Sequence, residues 1–208
     1  MYSYNFITFV LVKNRKMKIN KSTVVSFILL VLIAALWRVI PGRPMGFAPQ
    51  IAMAIFGGSV ISDRRMSFIL PLLSMFISDL LYQILHSYGL SSLTGFYNGQ
   101  IVNYILFALI TVIGFGVKQK NVFSILGGAL AGASFYFLSS NFLDWAMGGL
   151  DISYRPYPKT LAGLTDCYVA GIPFYRTSII ATLVFSTILF GGYYLVNRFV
   201  ISKKVAVA

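Results

Sequence analysis

Between Arg176 and Arg198 the chain carries no charged side chain. An uninterrupted apolar stretch of that length fits a helix buried in lipid far better than one facing water. The pattern recurs: Thr23–Trp37, Ile101–Val117 and Val122–Leu143 are equally free of charge. The whole composition agrees. Charged residues make up 11% of the chain and apolar ones 58%, with a mean hydropathy of +0.80. A water-facing surface draws on about 25% charged residues, and here the acidic supply is five aspartates with no glutamate. The chain is therefore expected to be all-α, a polytopic membrane protein folded as one compact helical bundle.

The net charge of +12 does not point to nucleic acid. Its lysines and arginines form short clusters between apolar runs, with no basic stripe along one face. One cysteine, Cys167, excludes an intrachain disulfide and a multi-cysteine metal site, and one histidine, His86, excludes a histidine cluster. No phosphate-binding loop, dinucleotide fingerprint or HExxH helix occurs, so no metal, cofactor or ATPase activity is expected of this chain.

Six spans are predicted: Thr23–Ile40, Phe47–Ser62, Met66–His86, Ile101–Val117, Val122–Trp145 and Thr177–Phe199. The second is short, contains Gly57–Gly58, and either tilts little or lies partly inside the bundle. Residues 1–21 form a basic segment ending in Lys13, Arg15, Lys16, Lys18 and Lys21, and Met17 is an alternative start. With both termini in the cytoplasm, the inner segments hold most of the 17 basic residues, as the positive-inside rule requires. A multi-pass protein of the bacterial inner membrane is the expected setting, with residues 201–208 a cytoplasmic tail.

Small residues gather on the fifth span, where Gly128 and Gly132 make a GxxxG spacing. That spacing serves close packing within the bundle or docking of another membrane subunit. On the outer side, residues 146–176 are rich in proline and aromatic residues. They are expected to fold as a lid over the outer ends of the third to sixth spans, with a short helix near Leu161–Ala170. Arg43, Phe47 and Gln50 from the first outer loop, and Tyr88, Tyr97, Asn98 and Gln100 from the second, belong to the same mouth. These residues suit either a small-molecule pocket or an aromatic belt at the lipid interface.

Asp79 lies more than halfway across the third span, where an ionised carboxylate is costly. It is expected to face inward and meet a donor such as Arg38, Arg43 or a tyrosine, as a structural ion pair or as a ligand or proton site. Tyr82 and His86 share its helical face and extend a polar stripe toward the mouth. Cys167 stands beside Asp166, but no spacing enforces a catalytic triad; no catalytic residue is assigned.

The runs RVIPGRPMGFAPQIAMAIFGG and PLLSMFISD, followed by SSNFLDWAMGG and YPKTLAGLTDCYVAGIPFYRTS, resemble a family of bacterial membrane proteins known as DUF6580. In organisation that family is similar to the S components of energy-coupling-factor (ECF) vitamin transporters. The resemblance implies a six-helix bundle that captures a vitamin-like ligand at its outer face and pairs with a coupling protein and ATPases. It places Arg43, Phe47, Asn141, Trp145, Tyr157, Lys159, Tyr168 and Arg176 near the ligand, with Asp79, His86 and Cys167 as further candidates. S components commonly offer an alanine-rich face on their first helix; here that helix has only the adjacent Ala34 and Ala35. The leading expectation is thus a small-molecule binding and uptake subunit. The alternative is an assembly protein that contacts another membrane protein through the outer segment and the glycine seam.

Overall fold

The computed structural model describes residues 21–196. The basic segment with Met17 and the tail at residues 201–208 lie outside the described residues. Six helices follow one another: α1 Lys21–Val39, α2 Gln50–Val60, α3 Arg64–Ser87, α4 Gln100–Phe115, α5 Val122–Met147 and α6 Leu161–Val196. The sole strand-like feature among the described residues is an isolated antiparallel bridge between Leu150 and Pro156. Helices α3, α5 and α6 are each long and apolar enough to cross a membrane.

Helix α3 turns several polar residues inward and several large apolar ones outward. Its inward face carries Ser67, Ser74, Ser78 and Asp79, all essentially inaccessible, whereas Ile69, Leu73, Phe76, Leu80 and Ile84 point outward. The outward residues recur at three- and four-residue spacing, one helical stripe. A water-soluble bundle would invert this arrangement. Ile28, Leu29, Leu32, Ile33 and Leu36 on α1 and Ile101, Ile105, Leu109 and Val112 on α4 form matching outward stripes.

Helix α2 is the axis. Its 11 residues rise only about 16 Å, roughly half of a bilayer's hydrocarbon core. Nearly every side of it is covered, with Ile51, Met53, Ala54 and Ile55 buried among α3, α4, α5 and α6. Of the two placements open to the second span, burial within the bundle is the one found. Glycine makes this approach feasible. A Cβ on Gly58 would stand 2.2 Å from the Thr111 carbonyl oxygen, and one on Gly114 would stand 2.6 Å from that of Ile55.

The glycine seam of α5 serves the same core. A Cβ on Gly128 would collide with Val117, and one on Gly132 would press on Ile55, Ile110 and Ile51. These two glycines are therefore filled by the chain's own side chains and leave no docking face. Ala34 and Ala35 of α1 likewise turn inward, at 3% and 0% exposure.

The expected short helix at Leu161–Ala170 and the expected sixth span are one helix. Helix α6 runs through Pro173 for 36 residues, about 54 Å. The proline removes the backbone donor that would reach the Val169 carbonyl, a loss that helices in apolar surroundings absorb by local adjustment. The lid expectation changes accordingly. Residues 148–160 fold back on the α5–α6 hairpin, with Tyr157 N–H donating to the Gly149 carbonyl at 3.0 Å and Trp145 Nε1 to that of Pro158 at 2.8 Å. The start of α6 is a side wall against α5. It does not lie across α3 and α4.

Candidate functional site

A cavity of about 920 Å³ opens among the end of α1, the start of α2, the first half of α4, the later half of α5 and the first half of α6. Its lower wall is α2, through Gln50 and Ile51, with Ala133 opposite on α5. Its upper wall includes Asp144 and Gly148–Leu150. From Ala133 to Asp144 the helix climbs about 17 Å, so the cavity is deep as well as wide. Phe107, Tyr136, Phe137, Phe174 and Tyr175 supply aromatic surface, and Asn98, Asn103, Asn141 and Ser140 supply polar groups.

These aromatics are held in place. Phe137 and Tyr175 stack with centroids 4.4 Å apart, and the Tyr175 hydroxyl lies 2.8 Å from that of Ser134. Tyr136 packs on Phe107 at 5.2 Å and donates to Asn103 Oδ1 at 3.0 Å, while Asn103 Nδ2 donates to the Tyr97 hydroxyl at 2.7 Å. Rings fixed by hydrogen bonds from their own rims offer flat surfaces at little ordering cost on binding.

Beside this cavity a second, of about 270 Å³, shares Arg38, Arg43 and Tyr97 and adds Asp79 and Tyr82. Asp79 is 1% exposed and faces inward. Its Oδ1 is paired with the Arg38 guanidinium, and its Oδ2 accepts from Gln100 Nε2 at 2.7 Å and from the Tyr104 hydroxyl at 2.6 Å. Arg38 also donates to Ser78 Oγ at 2.6 Å, and its carbonyl accepts from the Tyr82 hydroxyl at 2.5 Å. A buried carboxylate with three donors is satisfied. The network ties α1, α3 and α4 together at the mouth.

Arg43 differs. It spends its hydrogen bonds on the carbonyls of Arg38, Pro44 and Phe47. Among the described residues, the ion pairs are Arg38–Asp79 and Arg155–Asp151, so no carboxylate neutralises Arg43. It is the unneutralised cation of both cavities.

The sequence candidates separate in space. Arg43 and Asn141 line the main cavity, and Asp79 with Arg43 lines the smaller one. Phe47 stands behind the wall, against Trp37 and Phe185. His86 is outside both cavities, its Nδ1 3.0 Å from the Ser91 carbonyl oxygen, so the polar stripe ends at Tyr82. Trp145, Tyr157 and Lys159 belong to the hairpin cap: Lys159 donates to the Trp145 carbonyl and lies 5.2 Å from the Trp145 ring centroid. Tyr157 is buried there, which pushes its phenol above its ordinary pKa, with nearby Cys167 and aspartates adding to the rise. Cys167 is sealed between the helices, 3.4 Å from the Asn141 carbonyl oxygen and 3.9 Å from Asp144 Oδ2. Tyr168 donates to the Leu138 carbonyl at 2.9 Å, and Arg176 is exposed on α6 and lines neither cavity.

Phe107, Tyr136 and Phe137 escaped sequence reasoning because they lie within spans, whereas Tyr97 and Phe174 belong to the outer segments whose aromatic residues the sequence did single out. Tyr136 and Phe137 sit about one turn below Asn141, which would have revealed them as its neighbours on α5. Gln100 and Tyr104 are one turn apart on α4, a pairing that suits joint donation to one carboxylate. Groups of three or more His, Cys, Asp or Glu placed to hold a metal ion are absent among the described residues.

A family model, described as a family of unknown function (DUF6580), matches residues 17–205. The chain belongs to that family. No curated protein and no solved structure matches it.

Proposed function

We propose that this member of the DUF6580 family is a membrane-embedded binding and uptake subunit for a small, partly aromatic molecule, working in the manner of an ECF-type S component. The deep outer cavity carries the reading. Its 920 Å³ lies within the range of small-molecule sites, and its fixed rings with a few convergent polar groups are what such sites use. The chain crosses the inner membrane several times with both termini in the cytoplasm, α2 serving as the buried axis. Basic residues at the ends opposite the cavity, among them Arg64, Arg65, Lys118 and Lys120, favour that orientation.

An S component takes its energy from a partner carrying ATPases, and on this reading the present chain does the same. The small face of α1 is turned inward, so such a partner meets the outward apolar side chains of α1 or another helix. One observation favours the assembly-protein reading: Ile152, Tyr154 and Leu161, at the outer tip, are 93%, 85% and 83% exposed. Solvent extraction of the purified protein, followed by mass spectrometry of the extract, separates the two. The binding reading expects a stoichiometric small molecule whose occupancy falls in Arg43→Ala. An empty extract together with a stoichiometric protein partner favours assembly.

A further inference from the structure

We propose that the floor of the main cavity recognises the lactam edge of a planar heterocycle through Gln50. The inference rests on the small-molecule reading above and names the substrate class for the same cavity. Gln50 is 3% exposed, yet neither its Nε2 nor its Oε1 has a hydrogen-bond partner. Among the described residues, Gln119 Oε1 and Ser186 Oγ are also buried without a partner, but Gln50 alone leaves two separate atoms over, an amide nitrogen beside an amide oxygen. Buried amides are ordinarily satisfied, because the lost hydration is otherwise uncompensated. Gln50 also opens α2, whose first turn has no side-chain cap.

The chemistry of a carboxamide selects its complement. Nε2 needs an acceptor and Oε1 needs a donor, side by side in one plane. A carboxylate satisfies Nε2 and repels Oε1; an ammonium does the reverse. A ring –C(=O)–NH– edge satisfies both with two parallel hydrogen bonds. The flexible glutamine stem allows the amide to turn into the cavity that the residue lines. Above the floor, Phe107, Tyr136 and Phe137 offer rings for a flat body.

The test titrates the purified, detergent-solubilised full-length protein with three fluorescent planar probes. These are phenanthridinone, which has the lactam edge; its N-methyl derivative, which lacks the donor; and phenanthrene carboxylate. The proposal expects phenanthridinone to bind at least about tenfold more tightly than either other probe, the scale of a lost buried hydrogen bond. Gln50→Leu should remove that preference. Comparing probes on the unaltered protein does not depend on the variant folding. Equal binding of phenanthridinone and its N-methyl derivative, or tighter binding of the carboxylate, overturns the lactam assignment and leaves the binding-subunit reading standing. Failure of all three to bind overturns the assignment too, and the solvent extract then decides the broader reading separately.

Discussion

At the scale of single residues, the pair Arg38–Asp79 is the most consequential contact outside the apolar core. Asp79 is buried and holds three donors from α1 and α4. Replacing it by asparagine strands the Arg38 guanidinium, which is itself 81% covered by its 19% exposure. Asp79→Asn is predicted to destabilise the protein by about 3–5 kcal/mol, seen as a lower melting temperature in detergent. An unchanged melting temperature would contradict the ion-pair role. Asp151 offers a different residue-level test. Its carboxylate accepts from the Ser153 and Arg155 amides at 2.7 and 2.9 Å, and the Arg155 amide bond, followed by that of Ser153 and the Arg155 charge, holds its pKa below the ordinary value. A depressed carboxylate pKa stabilises the folded loop at pH above the ordinary carboxylate value and loses that contribution as pH falls through the folded value. The protection factors of the Ser153 and Arg155 amides, taken against the unfolded exchange rate at each pH, should therefore be larger at neutral pH and fall in acid. The inward Asp79 was legible in the sequence because a lone acid in an apolar span has few tolerable surroundings. Gln50 was visible only as part of the mouth. Its burial depends on α2 being the axis, which a local pattern does not encode.

At the scale of elements, α2 and α6 show where periodicity stops being informative. A helix covered on all sides has no polar face, so α2's apolar run could not be told from a short span by pattern alone. The glycines at its crossings did carry information. Gly58 and Gly114 place two backbones where a methyl group would overlap a carbonyl. Gly58→Ala is predicted to cost about 3 kcal/mol or more, whereas Gly127→Ala, with open space around its Cβ, should lie within about 0.5 kcal/mol of the parent. Thermal unfolding of the two variants side by side checks the buried axis, and equal effects would contradict it. For α6 the prolines and aromatics before Thr177 suggested a separate lid. Pro173 is instead accommodated within a continuous helix, held along α5 by contacts such as Tyr168 to Leu138 and Phe137 to Tyr175. A proline marks a missing donor; whether the helix ends there is decided by what packs around it.

At the scale of the whole molecule, apolar outward faces surround a large cavity with polar and aromatic walls. Helices hide serines and an aspartate and display leucines, isoleucines and phenylalanines, and the sequence showed this in its shortage of charge. Orientation is open to direct test. In a Cys167→Ala background, Ser153→Cys should react with a membrane-impermeant maleimide added to intact spheroplasts, and Lys120→Cys should react only after lysis. The reverse labelling would turn the bundle over. The cavity's existence was expected from the loops, but its walls come from the halves of α5 and α6 nearest their connecting segment, where tertiary packing chooses which aromatic residues face inward. The measurement that bears most directly on the central claim is native mass spectrometry of the protein released gently from its own host membrane. The account predicts a stoichiometric extra mass of small-molecule size, lost in Arg43→Ala. A chain that emerges without such a mass and bound only to another membrane protein would contradict it.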